Sequence, residues 1–189
     1  MNTPLPELEA LVATAKSLFA RGYSFGTAGN ISIRLDDSVY AMPTGSSFES
    51  LSLATLARCD LQGNAIGPNR PTRELPFHLA VYRARSGAGA VVHLHSTYAT
   101  AVACLCDLDV EDALPALTAY YAMRVPALQA MPYLPPGDPE LGVHVEKLAA
   151  RTPAMLRRNH FGSEDFFGRA AQAIQSIRRE APKLQKELG

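Results

Sequence analysis

Ile31-Ser32-Ile33-Arg34-Leu35-Asp36-Asp37-Ser38-Val39-Tyr40-Ala41-Met42 decides how the chain is read. Apolar and polar residues alternate from Ile31 to Leu35, which is the period of a strand with one face buried. Asp36-Asp37 is a turn pair, and the run from Ser38 to Met42 is extended again, so the stretch predicts a β-hairpin. Upstream, residues 4–19 carry Leu8, Leu11, Val12, Ala15, Leu18 and Phe19 at helical spacing, an amphipathic opening helix that Arg21-Gly22 ends. Downstream, Pro43-Thr44-Gly45-Ser46-Ser47 is a turn cluster, residues 51–59 read as a short helix or loop, and Asp60-Leu61-Gln62-Gly63-Asn64 is a further turn. Residues 74–84 predict a helix that packs through Leu75, Leu79 and Tyr82. Residues 87–94, with Ala88-Gly89-Ala90-Val91-Val92, predict a buried strand, and 97–106 a returning helix. The proline- and tyrosine-rich stretch 115–139 reads as strands joined by ordered loops, and 166–188 as a last helix. With no repeat, linker or low-complexity tract, the alternation of helices and strands predicts one α/β domain over residues 1–189.

The 189 residues suffice to bury a core without metal or disulfide staples. Eighteen basic residues balance eighteen acidic ones, so no global field exists to attract nucleic acid or an anionic membrane, and any anion site must be local. No apolar run approaches the roughly 18–20 residues of a bilayer span. Met1-Asn2-Thr3-Pro4 lacks the basic and apolar regions of a signal peptide, and a cytoplasmic location is expected. Three cysteines, Cys59, Cys104 and Cys106, form no paired framework, which suits a reducing compartment, and Cys104-Leu105-Cys106 reads as packing.

The chemistry concentrates in Val91-Val92-His93-Leu94-His95-Ser96. In a strand, residues i and i+2 project from one face about 6–7 Å apart, so two imidazoles can share a metal or hydrogen-bond at the strand end. A third ligand must come from elsewhere. His160 in Arg158-Asn159-His160 is the candidate, with His78 and His144 the remaining histidines. Three imidazoles would leave Zn²⁺ an open position for a substrate oxygen. Glu74 lies where the Pro71-Thr72-Arg73 loop enters a helix. It can be a ligand, a proton carrier whose pKa burial raises, or simply a first-turn glutamate favoured by the helix dipole. The loops Gly26-Thr27-Ala28-Gly29-Asn30, Thr44-Gly45-Ser46-Ser47 and Thr72-Arg73 offer backbone N–H groups, hydroxyls, an amide and a guanidinium for a phosphate, although such residues also populate ordinary turns and Arg73 also reads as a solvated arginine.

Gly29-Asn30-Ile31-Ser32, Pro43-Thr44-Gly45, Pro71-Thr72-Arg73-Glu74 followed by His78, His93-Leu94-His95-Ser96 and Asn159-His160 occur in the order seen in the class II aldolase/adducin family, which the chain resembles over nearly its whole length. The resemblance implies an α/β fold with a central, mainly antiparallel sheet flanked by helices. It further implies a homotetramer whose sites are completed by a neighbouring subunit, and a divalent metal, most commonly Zn²⁺. By the same resemblance His93, His95 and His160 are ligands and Glu74 is the acid/base. Asn30, Thr44, Gly45, Thr72 and Arg73 would bind the phosphate of a small phosphorylated substrate. Tyr120 or Tyr121 would reach into a neighbouring site, with packing as the alternative. After His160 the chain departs from the family's His-Gly pattern, reading Phe161-Gly162-Ser163-Glu164-Asp165.

Within the family, Arg21-Gly22-Tyr23, His95-Ser96-Thr97-Tyr98, the stretch from Leu114 to Val125 and Pro132-Tyr133-Leu134-Pro135-Pro136-Gly137-Asp138-Pro139 look like the branch that decarboxylates 3-oxo-tetronate 4-phosphate to dihydroxyacetone phosphate. Sugar-phosphate aldolases are the rival, because both reactions leave the same enediolate when a carbon–carbon bond beside a metal-polarised carbonyl breaks. A non-catalytic adducin-like module is disfavoured by the retained His93, His95, His160 and Glu74. A nucleic-acid binder is disfavoured by the balanced charge.

Overall fold

The computed structural model describes residues 5–158 apart from 117, 126, 135–137 and 139. The predicted final helix over 166–188 lies outside the described residues. The described residues form two compact units, one from those up to Ser96 with those within 134–151, the other from those within 97–133 with 152–158.

The first unit holds a five-stranded antiparallel sheet. Helix α1 (Leu5–Ala20) precedes β1 (Asn30–Leu35) and β2 (Ser38–Ala41), the predicted hairpin. Leu35 pairs with Ser38, so the loop is Asp36-Asp37, with Asp36 in the left-handed region at φ 49°. A short polar side chain tolerates that conformation better than most. Strands β3 (Ala57–Asp60) and β4 (Ala65–Ile66) follow, then α2 (Leu75–Ala84) and β5 (Ala90–His93), and the sheet order is β4-β3-β2-β1-β5.

Two sequence expectations change here. Residues 57–60 are a strand rather than the end of a short helix or loop, because Cys59 is buried while Arg58 is exposed. Among the described residues β5 stands at the end of the sheet order, with Val91 buried and Ala90 and Val92 exposed, so one of its faces is covered rather than both.

The strand pleat sorts the core into two layers. Ile31, Tyr40 and Met42 pack with Leu8, Leu11 and Ala15 of α1 on one face, together with Phe48, Leu51 and Leu56. Val39, Ala41, Cys59 and Val91 face the other way, onto Leu75, Leu79 and Tyr82 of α2. The predicted packing face of α2 is therefore the observed one, and truncating Leu75 or Leu79 to alanine would cost about 2–5 kcal/mol. Helix α5 (Glu140–Ala149), which the sequence reading left unassigned, lies along α2. Arg83 pairs with Glu146 at 3.1 Å, and Arg85 donates to the terminal Ala149 carbonyl at 2.9 Å.

The second unit contains α3 (Thr97–Ala103), α4 (Ala119–Arg124), β6 (Gln129–Met131) and β7 (Met155–Arg157). Strands β6 and β7 are parallel, and Ala103, Leu105, Leu108, Ala113, Ala130 and Leu156 form its core. The stretch read as strands and loops thus contains a helix, started by Thr118, whose hydroxyl accepts from the Tyr121 N–H. An N-cap hydroxyl followed by Ala-Tyr-Tyr-Ala-Met-Arg favours helix over strand locally.

Candidate active site

The face of the sheet covered by α2 carries the polar residues as well as the apolar ones. Asn30, Ser32 and Arg34 recur every second residue along β1, and Glu74, His78, Tyr82 and Ser86 recur every fourth residue along α2 and just beyond it. Two strand residues rise about 6–7 Å and four helix residues about 6 Å, so the two rows stay in step and interdigitate. In the register of β1 with β5, Asn30 lies opposite His93 and Ser32 opposite Val91. His93 therefore projects from the same face as Val91, toward the first turn of α2.

Glu74 occupies the N-cap position of α2 but makes no capping hydrogen bond with its side chain. Its Oε2 instead accepts from Asn30 Nδ2 at 2.6 Å and from His93 Nδ1 at 2.7 Å. Burial pushes the carboxyl pKa up, but the hydrogen bond from His93, the charge of that ring, the Asn30 amide and the charge of His95 outweigh it and bring the group down to about 2. The sequence-level expectation of a burial-raised carboxyl is met in cause and reversed in outcome. An ionised carboxylate only accepts, so the hydrogen of this bond sits on His93 Nδ1.

Behind Glu74 the amide of Asn30 is itself held. His78 is fully buried; its Nε2 bonds Asn30 Oδ1 and its Nδ1 meets Ser32 Oγ at 2.7 Å, while Ser32 Oγ meets Tyr82 Oη at 2.8 Å. Burial, helped by the His93 charge and opposed by Glu74, pushes the His78 pKa down to about 3. Burial also pushes Tyr82 up to about 12. Sequence reasoning gave His78 and Ser32 no role of their own and read Tyr82 only as a packing residue. The usable signals were a histidine four residues after Glu74, on the same helix face, and a serine between two isoleucines on a strand.

His95 follows the end of β5, and its ring centroid lies 4.7 Å from that of His93. Phe77 packs against His93 at 5.6 Å between ring centroids. The Thr44-Gly45 loop is tied to the segment before α2: Thr44 N–H donates to the Arg70 carbonyl, Thr72 N–H donates to the Met42 carbonyl, and Pro43 bridges to Pro71. Thr72 Oγ1 accepts from Glu74 N–H at 3.3 Å. Thr44, Gly45 and Arg73 are exposed, whereas Asn30 is buried. The structure thus gathers Asn30, Thr72, Glu74, His93 and His95 and ties the Thr44-Gly45 turn to the same segment. Tyr120 belongs to the second unit, on α4, and is 83% exposed. His160 lies outside the described residues.

Among the described residues no three His, Cys, Asp or Glu side chains are arranged to hold a metal ion. The donor chemistry nevertheless fits one. Two neighbouring imidazoles are present, and His93 donates its Nδ1–H to a carboxylate, the outer contact that typically orients a metal-binding histidine. A third protein donor has to come from beyond the described residues.

An antiparallel sheet with a His-x-His pair that begins on the last residue of a strand and lies beside a carboxylate at a helix start accords with the class found by comparison: residues 9–161 match the Class II Aldolase and Adducin N-terminal domain, and the chain belongs to that family. It is 43% identical over 159 residues to the 3-oxo-tetronate 4-phosphate decarboxylase of Haemophilus influenzae, covering 84% of this chain and 76% of that one. An L-fuculose phosphate aldolase of Methanococcus maripaludis is 32% identical over 154 residues, 82% of this chain and 81% of the relative. Among solved structures, Escherichia coli YgbL, described by the alternatives aldolase, epimerase or decarboxylase, superposes with a TM-score of 0.79 at 36% identity, covering 97% of this chain and 90% of that one. The expected family and its antiparallel α/β fold are thereby borne out. No helix among the described residues is long and apolar enough to cross a membrane.

Proposed function

We propose that this chain is a divalent-metal-dependent carbon–carbon lyase that decarboxylates 3-oxo-tetronate 4-phosphate to dihydroxyacetone phosphate and CO₂, working in the cytoplasm as a homotetramer with residues 1–189 acting as one class II aldolase-like domain. The observation that carries the reading is the Glu74 carboxylate fixed between Asn30 and His93 beside His95, in a chain 43% identical to a relative of that name. His93, His95 and His160 would hold the ion, zinc in this reading. When bound, it would supply Lewis-acid stabilisation for the negative charge developing on the substrate's carbonyl oxygen.

The chain's own residues account for the rest. Thr44, Gly45, Thr72 and Arg73 bracket one polar turn pair suited to a phosphate, with the remaining Asn30 N–H as a further donor and Tyr120 as a substrate contact from a neighbouring subunit. Loss of CO₂ breaks the bond from the carboxyl carbon to the adjacent hydroxyl-bearing carbon and sends its electron pair toward the carbonyl. The enediolate left behind then takes one proton on that carbon. Glu74, directly or through a water, delivers it. Because the carboxylate is held ionised, with a pKa of about 2, the proton it delivers has first to be taken up from bulk water, on Glu74 or through the water it orients.

Zinc-reconstituted protein is expected to release dihydroxyacetone phosphate from 3-oxo-tetronate 4-phosphate, and a chelated control is not. His93→Ala and His95→Ala are expected to lose both bound metal and turnover; full activity in either removes that histidine from the site. No release by loaded protein overturns the decarboxylase reading. Retro-aldol cleavage of L-fuculose phosphate, favoured by the 32% identical relative, is then the activity to assay.

A further inference from the structure

We propose that His78 is a positioning residue of this site, acting through Asn30: it locks the amide so that Asn30 presents only N–H donors, one to Glu74 and the other to a substrate oxygen. The proposal rests on the reading of Glu74 and Asn30 above and goes beyond it.

The polarity of the whole row follows from its two ends. Glu74 Oε2 can only accept, so the Asn30 atom at 2.6 Å is the amide nitrogen and the opposite atom is the carbonyl Oδ1. Oδ1 can only accept, so His78 Nε2, which bonds it, carries hydrogen. Because burial keeps this imidazole neutral, its Nδ1 is then a lone pair, which takes the Ser32 hydroxyl proton at 2.7 Å. Ser32 Oγ, having donated, accepts from Tyr82 Oη at 2.8 Å. Every proton in Tyr82–Ser32–His78–Asn30–Glu74 has one consistent position.

A free asparagine amide can turn through a half rotation and offer either oxygen or nitrogen to a ligand. Here that rotation would set Oδ1 against the Glu74 carboxylate and an N–H against the His78 N–H, stranding groups on a residue only 5% exposed. The amide is therefore fixed before substrate binds. The one Asn30 group not committed among the described residues is its second N–H, which selects for an acceptor such as a phosphate or carbonyl oxygen and against a hydroxyl donor.

The test compares wild type, His78→Met and His78→Gln by two readouts. The first, independent of turnover, is the ¹⁵N–¹H spectrum of the Asn30 side chain, where a proton held by a carboxylate is displaced downfield. The second is the separation of kcat from KM for 3-oxo-tetronate 4-phosphate. His78→Met is expected to lose the Asn30 displacement and to lower kcat by about tenfold to a hundredfold, the scale of a stranded buried polar group. His78→Gln, whose amide N–H can still reach Oδ1, is expected to restore the displacement and most of kcat. A Met variant that keeps the displacement, or loses only thermal stability with kcat unchanged, overturns the proposal. If wild type does not turn over this substrate, the function above fails while the spectrum still decides the role of His78. If the Met variant does not fold, the wild-type imidazole ¹⁵N spectrum decides: hydrogen on Nε2 supports the assignment, and hydrogen on Nδ1 overturns it.

Discussion

Gly29 and Gly45 have nearly the same backbone conformation, φ +76° and +75°, and very different surroundings. A Cβ added at Gly45 meets nothing within 4 Å, whereas at Gly29 it falls 2.6 Å from the His93 carbonyl oxygen and 3.1 Å from Phe48 Cε2. Gly45→Ala therefore carries only the left-handed penalty of about 1–2 kcal/mol, partly offset by about 0.4–1 kcal/mol from a less flexible unfolded chain. Gly29→Ala carries the same terms plus a clash with backbone, which cannot rotate away as a side-chain tip can. Overpacking of this kind adds about 1–3 kcal/mol. At about 2–4 °C per kcal/mol for a chain of this size, Gly29→Ala should melt about 2–12 °C below Gly45→Ala in paired thermal scans. The atom displaced belongs to His93, so Gly29→Ala should also weaken metal retention after dialysis. Equal melting temperatures for the two variants would refute the claim that Gly29 is required by the close approach of β5 rather than by its own backbone angle.

Glu74→Gln keeps an oxygen that can accept from Asn30 and His93 but loses the charge and the capacity to carry a proton, so metal content is expected to be retained while kcat falls by about 10²–10⁴-fold in single-turnover assays. Unchanged turnover would remove Glu74 from the chemistry. For pH, His78 is held neutral with its pKa lowered to about 3 from 6.5. As pH falls below 6.5 the unfolded chain binds a proton that the folded chain refuses, so stability is full above that value and is lost toward pH 3, by up to about 1.4 kcal/mol per pH unit. Urea melts between pH 7 and 4 should show this slope in wild type and a shallower one in His78→Gln; parallel curves would contradict it.

The hairpin and both helix faces flanking it were legible because each obeys one period. Ile31-Ser32-Ile33 and Val39-Tyr40-Ala41-Met42 sort by alternation into the α1 and α2 layers, and Leu75, Leu79 and Tyr82 sort by helical spacing. Strands β3 and β4 were not legible, since Ala57–Asp60 runs straight into a turn cluster, Ala65–Ile66 is only two exposed residues, and each is defined by its partner, β3 by β2 and β4 by β3. Helix α4 was masked by the surrounding prolines and tyrosines, although its N-cap threonine was visible. At the site, Glu74, Asn30 and the His93/His95 pair could be named because their residue types announce chemistry. The state of Glu74 could not, because burial and hydrogen bonding shift its pKa in opposite directions and only the distances tell which prevails.

What joins these elements into a site is register. Asn30 and His93 face each other across β1 and β5, and both reach Glu74 only because each stands two positions from the next residue on the α2 face, Ser32 and Val91. A slip of β5 by one residue would turn His93 away from the α2 face and bring Val92 or Leu94 toward Glu74, depriving the carboxylate of the His93 donor. Apolar packing alone would not forbid this, since Val91 and Val92 are the same residue type and the slip sets one valine in place of the other. The close approach of Gly29 to the His93 carbonyl and the Arg34 N–H bond to the Gly89 carbonyl at 2.8 Å clamp the pairing at both ends. Those two contacts, more than the hydrophobic pattern, specify which residue of Val91-Val92-His93-Leu94 meets the acid.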